Sequence, residues 1–136
     1  MQKGQTEEQI HFTIDGKKVS GKRGESVIAV ADRHGIYIPR FCYHERLSVV
    51  ANCRMCLVEV KKAPKTLPAC ATQIMPDMEV KTRSAATIAS QKAVMEFLLV
   101  NHPLDCPICD KGGECELQDL AFGFGHTESK FSEPKR

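Results

Sequence analysis

Gln9-Ile-His-Phe-Thr-Ile-Asp-Gly-Lys-Lys-Val-Ser20 is the stretch on which the fold turns. Residues 9–14 alternate polar and apolar, so one face can be buried while the other stays wet, as in a half-buried strand. Asp15-Gly16 suits a two-residue hairpin turn, and Lys17 to Ser20 reads as the returning strand, broken by Gly21 and Gly24. From Ser26 the apolar spacing changes to a helical one. Val27, Val30 and Ala31 fall on one helix face, Glu25 or Ser26 is placed to cap it, and Gly35 is placed to end it in a left-handed conformation. Ile36-Tyr-Ile-Pro39 is then extended, because the residue before a proline is pushed out of the helical region.

Working outward, Arg40 to Arg54 is a long irregular stretch, Met55 to Val60 a strand, and Lys61 to Lys65 a solvated loop. Thr66 to Ile74 is partly extended, and Met78 to Thr82 alternates again, closing a small mixed sheet. The composition shifts near Arg83. Ser84 to Asn101 lacks Gly and Pro and places Ile88, Met95, Leu98 and Leu99 on one stripe, an amphipathic helix with that stripe in the core. Pro103 stops it, a loop runs to Glu114, and a short helix spans Cys115 to Ala121. The expected organisation is α+β: a tail over 1–8 without order, a sheet-bearing domain over 9–83, a helical segment over 84–125, and a polar linker over 126–136.

Composition narrows the function. The chain has 136 residues, 19 basic against 17 acidic, for a formal net charge of +2. That balance gives no basic excess for nucleic acid. Residues 1–10 carry Glu7 and Glu8 and no apolar run, so they do not read as a signal or transit peptide. No apolar stretch approaches the roughly 20 residues of a membrane span, so a cytoplasmic, soluble chain without direct membrane insertion is expected. Leu, Ile, Val and Phe total 32 residues, a thin supply for a core. The seven cysteines are the unusual component, and in a reducing compartment clustered cysteines are metal ligands more often than disulfides.

Those cysteines form two groups. Cys42, Cys53, Cys56 and Cys70 are separated by ten, two and thirteen residues; Cys106, Cys109 and Cys115 are separated by two and five, and His102 precedes Cys106 with three residues between. A histidine there could serve only the helix dipole, but its neighbours make it an eighth ligand candidate, and two four-ligand sites then leave no cysteine over. Zinc and iron–sulfur groups both accept thiolates. A zinc ribbon uses two tight Cys-x-x-Cys pairs, whereas the first group has one pair and a remote cysteine on each side, nearer the asymmetric two-iron ferredoxin spacing. Gly112-Gly113 would let backbone N–H groups approach a cluster. No Ser–His–Asp set, phosphate loop or nucleotide fingerprint is present, so no small-molecule substrate is expected and there is no catalytic residue to assign.

Gly24-Glu-Ser-Val-Ile-Ala-Val-Ala-Asp-Arg-His-Gly-Ile-Tyr-Ile-Pro-Arg-Phe-Cys42 resembles the approach to the first cluster ligand in the two-iron domains of respiratory complex I. His102-Pro-Leu-Asp-Cys-Pro-Ile-Cys-Asp-Lys-Gly-Gly-Glu-Cys115 resembles the four-iron segment of the same large iron–sulfur subunit of NADH-quinone oxidoreductase, the 75 kDa type. The resemblance runs from about Ile10 to Phe124. It implies a β-grasp ferredoxin-like domain followed by a small helical four-iron segment. It also implies a [2Fe-2S] cluster on Cys42, Cys53, Cys56 and Cys70, with Cys42 and Cys53 sharing one iron, and a [4Fe-4S] cluster on His102, Cys106, Cys109 and Cys115. The implied function is single-electron transfer from the NADH/flavin side towards quinone. The implied partners are the other subunits of the NADH-oxidising arm, on the cytoplasmic side of the inner membrane. The family subunit is much longer, so the chain reads as an N-terminal fragment or truncated product. The rivals are a diaphorase-side subunit of an NAD-reducing hydrogenase, a zinc-bound structural or interaction module, and a free-standing ferredoxin.

Overall fold

The computed structural model describes residues 8–126, 128, 129 and 131–135; most of the expected N-terminal tail, residues 1–7, lies outside them. Strands β1 (Gln9–Ile14) and β2 (Lys17–Lys22) form the antiparallel hairpin, with Ile14 paired to Lys17. Asp15 and Gly16 both take positive φ, +51° and +81°, which matches the twist of a tight hairpin turn to that of its strands. Helix α1 (Val27–Arg33) follows. Ser26 caps it by accepting from the Ala29 N–H, and Gly35 turns the chain at φ +75°.

Three more strands complete the sheet: β3 (Leu57–Val60), β4 (Leu67–Pro68) and β5 (Glu79–Lys81). The order is β2-β1-β5-β3-β4, with β1 and β5 parallel and every other pair antiparallel. Burial alternates along β1 and β3, and their apolar side chains meet Val27, Ile28, Val30 and Ala31 of α1. A mixed sheet grasping one helix is the α+β, ferredoxin-like arrangement the resemblance implies. Asp15 also ties the hairpin to the end of β5, its carboxylate accepting from the Thr82 N–H at 2.7 Å and from the Thr82 hydroxyl.

Beyond the sheet lie α2 (Ala85–Leu99), capped by Ser84, a 3₁₀ turn at Cys106–Ile108, and α3 (Glu116–Phe124). A second apolar cluster is centred on Met55, Met95 and Leu120, with Phe41, Cys53, Leu98, Leu99 and Leu117 packed around it. The cysteine loop of the sheet region therefore shares a core with α2 and α3.

Two local expectations change. Gly21 does not break β2 but pairs with Ile10 inside it. A Cβ there would come within 2.7 Å of Val30 Cγ2 and 2.8 Å of Ile74 Cδ1, so the glycine serves close packing of strand on helix. On α2, Ile88 is 42 % exposed while Thr87, Gln91 and Met95 are buried. Met95, Leu98 and Leu99 do face the second cluster, so the departure is confined to the first half of the helix, where Thr87 is turned inward and donates to the Lys81 carbonyl at 3.1 Å.

Candidate metal centres

The first cysteine group is assembled by the β3–β4 ladder and the entry to α1. Cys56 lies one residue before β3 and Cys70 two residues after β4, and the Ala69 N–H donates to the Cys56 carbonyl at 2.9 Å. The Cys70 loop is pinned from the other side. The Ile28 N–H donates to the Ala69 carbonyl at 3.2 Å, the Val27 N–H to Thr72 at 2.9 Å, and the Ile74 N–H to Glu25 at 3.0 Å. Cys56 and Cys70 are buried, and Cys42 and Cys53 half-buried.

Cys42 arrives on a braced segment. Arg40 forks onto the Asp32 carboxylate, donates from Nε to the Ile38 carbonyl at 2.9 Å, and lies 5.4 Å and 5.6 Å from the ring centroids of Tyr37 and Tyr43. After Cys42 the loop folds back so that the Cys53 N–H donates to Cys42 Sγ and the Met55 N–H to Cys53 Sγ, each at 3.5 Å. Ala51 and Arg54 take φ of +51° and +58° to make this possible.

The thiols sense one another. Burial opposes ionisation of Cys42, but the N–H groups of Cys53 and Asn52 outweigh it and hold its thiol below the ordinary value. Cys70 is pushed up to about 12, by burial first, then by a hydrogen bond with Cys56 and the charges of Cys56, Cys42 and Cys53. The other three predicted ligands thus lie close enough to Cys70 for their charge to oppose its ionisation. A bound cation removes that penalty.

Three members of the second group, His102, Cys106 and Cys115, line a cavity of about 280 Å³ between α2 and α3 together with Met95, Leu99 and Leu117. His102 follows the end of α2, its N–H donating to the Leu99 carbonyl at 3.3 Å. Cys115 caps α3 through sulfur, Sγ accepting from the Gln118 N–H at 3.5 Å. Cys109 is exposed and does not line the cavity. Gly112 and Gly113 do not aim their N–H groups at a sulfur as expected: they donate to the Cys109 carbonyl at 3.0 Å and to Gln118 Oε1 at 3.3 Å. The need at Gly112 is space, since a Cβ would stand 2.7 Å from the Cys106 carbonyl oxygen.

Among the described residues, no three His, Cys, Asp or Glu side chains converge on the position of a single metal ion. The chemistry of the donors does fit iron–sulfur groups. Four thiols with N–H donors on two of the sulfurs suit a two-iron cluster, and one imidazole with three thiols suits a four-iron one. Sequence reasoning missed the Gln118 contacts and Lys135, which also lines the cavity. Lys135 stands 36 residues from the carbonyl it meets, and no local pattern signals such a contact.

Residues 7–85 match the model of a 2Fe-2S iron–sulfur cluster binding domain. The chain belongs to that family. Residues 91–130 match the NADH-ubiquinone oxidoreductase-G iron–sulfur binding region, so the chain carries one two-iron and one four-iron binding region. It is 53 % identical over 125 residues to the mitochondrial NADH-ubiquinone oxidoreductase 78 kDa subunit of Neurospora crassa, covering 92 % of this chain and 17 % of that protein. It is 50 % identical over 127 residues to the NADH-ubiquinone oxidoreductase 75 kDa subunit of Reclinomonas americana, covering 93 % of this chain and 18 % of that protein. The chain spans under a fifth of these relatives' length. Among solved structures it resembles a chain of an NAD⁺-reducing [NiFe]-hydrogenase with a TM-score of 0.78 and 27 % identity, over 93 % of this chain and 55 % of that one. Among the described residues, no helix is long and apolar enough to cross a membrane.

Proposed function

We propose that this chain is the iron–sulfur electron-transfer module of an NADH-quinone oxidoreductase, relaying single electrons from the NADH/flavin side towards quinone. The units are 9–83 for the two-iron domain and 84–125 for the four-iron segment. Cys42, Cys53, Cys56 and Cys70 hold the two-iron group, Cys42 and Cys53 on one iron and Cys56 and Cys70 on the other. His102, Cys106, Cys109 and Cys115 hold the four-iron group. When bound, the clusters supply one-electron redox chemistry. The chain's own residues set how readily it runs: N–H donors on Cys42, Cys53 and Cys115 stabilise negative charge on sulfur, and burial of Cys56 and Cys70 limits access of water. Its partners are the other subunits of the NADH-oxidising arm, placed peripherally on the cytoplasmic side of the membrane.

The observation that supports this reading most strongly is the loop geometry: the Cys53 and Met55 amides already point at the sulfurs of Cys42 and Cys53, and the Ala69 N–H ties the Cys70 segment to the Cys56 carbonyl. The likeness to the hydrogenase chain favours a second reading, a diaphorase-side subunit of an NAD-reducing hydrogenase; the sequence following Arg136 distinguishes the two. The test of the site is anaerobic preparation with iron, sulfide and EPR analysis. Two distinct reduced-state signals per chain are expected, with Cys70→Ser removing one and Cys106→Ser the other. A colourless protein carrying zinc and no acid-labile sulfide overturns it.

A further inference from the structure

The C-terminal end of α2 is held by a residue from far along the chain. The last carbonyls of any helix lack intrahelical partners and carry the negative end of its dipole. Here the Leu99 carbonyl accepts twice, from the His102 N–H at 3.3 Å and from Lys135 Nζ at 2.5 Å, and Lys135 Nζ also donates to the Val100 carbonyl at 3.4 Å. Lys135 also lines the cavity bounded by His102, Cys106 and Cys115. The other ionisable side chains on that wall are Glu96, His126 and Glu128, and Glu96 lies 3.8 Å from His126. Among the described residues lining the cavity, Lys135 is the one Lys or Arg.

We infer that Lys135 is a positioning and potential-setting residue for the four-iron site: it clamps the turn that presents His102 and places a positive charge on the cavity wall. This rests on the ligand reading above. The clamp acts through the carbonyl that His102 itself uses, so losing it frees the backbone next to the imidazole. The charge acts through space. Reduction adds one negative charge to the site, and a nearby ammonium favours the more negative state and raises the midpoint.

The experiment uses the full chain reconstituted with iron and sulfide, with EPR-monitored redox titration of both signals. In Lys135→Met the four-iron midpoint is expected to fall by the equivalent of roughly threefold to tenfold in the reduced-to-oxidised ratio, tenfold being about 59 mV for one electron. Lys135→Gln, which keeps a donor and loses the charge, should fall as well, and Lys135→Arg should stay near the wild type. The two-iron midpoint is the internal reference and should not move. In the iron-free chain, amide exchange at His102 should quicken in the Met variant and recover in the Arg variant. An unchanged four-iron midpoint in both Met and Gln variants, an Arg variant falling as far as Met, or both midpoints moving together overturns the inference. Unchanged His102 exchange overturns the clamp. If the wild-type chain takes up no four-iron cluster, the ligand reading fails instead, and exchange in the iron-free chain judges the clamp alone.

Discussion

Ala51 and Arg54 hold backbone torsions that side chains rarely adopt, with φ of +51° and +58°, each costing on the order of 1–3 kcal/mol. The return is geometric: the amides of Cys53 and Met55 end up on sulfur. Neither residue type announces such a backbone, since alanine and arginine are both good helix formers. The cysteine spacing was therefore readable and the loop that uses it was not. His102, with three residues between it and Cys106, is the opposite case: its proposed role comes from spacing alone, and the structure sets both residues on one cavity wall. As the proposed neutral ligand it would remove one negative charge relative to a fourth thiolate, which favours the reduced state. His102→Cys should therefore lower the four-iron midpoint in a redox titration; a midpoint that stays put or rises counts against imidazole ligation.

At the scale of elements, β1, the Asp15-Gly16 turn, α1 with its Ser26 cap and Gly35 stop, and β5 were all written in local chemistry. Each depends on neighbours a few residues away, through alternation, positive φ or a side-chain cap. The first half of α2 was not. Met95, Leu98 and Leu99 of its apolar stripe face the second cluster, but Ile88 does not. Thr87 takes the inward place instead, its hydroxyl donating to the Lys81 carbonyl six residues back. The consequence can be measured by chemical denaturation. Met95→Ala, at a fully buried site, should destabilise the chain by about 2–5 kcal/mol. Ile88→Ala, at a site 42 % exposed, should cost under about 1 kcal/mol. Equal losses would mean that the helix is rotated from the position described.

For the whole molecule, the division of the cysteines into two groups suggests two independent lobes, but the packing joins them. Met55, one residue before Cys56, is fully buried against Met95 and Leu120, and Cys53 packs on the same cluster. Leu120 in turn lies five residues after Cys115, on the helix that Cys115 caps. Met55 and Leu120 are 65 positions apart in the sequence, so the joint could not be read before the fold was known. A cavity made at Leu120 should therefore be felt on both sides. Leu120→Ala is expected to cost about 2–5 kcal/mol, and to speed iron release to a chelator from the two-iron site as well as the four-iron site, followed by loss of each EPR signal. The Met55 amide should lose hydrogen-exchange protection in the same variant. If iron loss quickens at the four-iron site alone and Met55 stays protected, the shared core does not couple the two centres. The loop around Cys53 would then be held by the β3–β4 ladder and its own sulfur contacts.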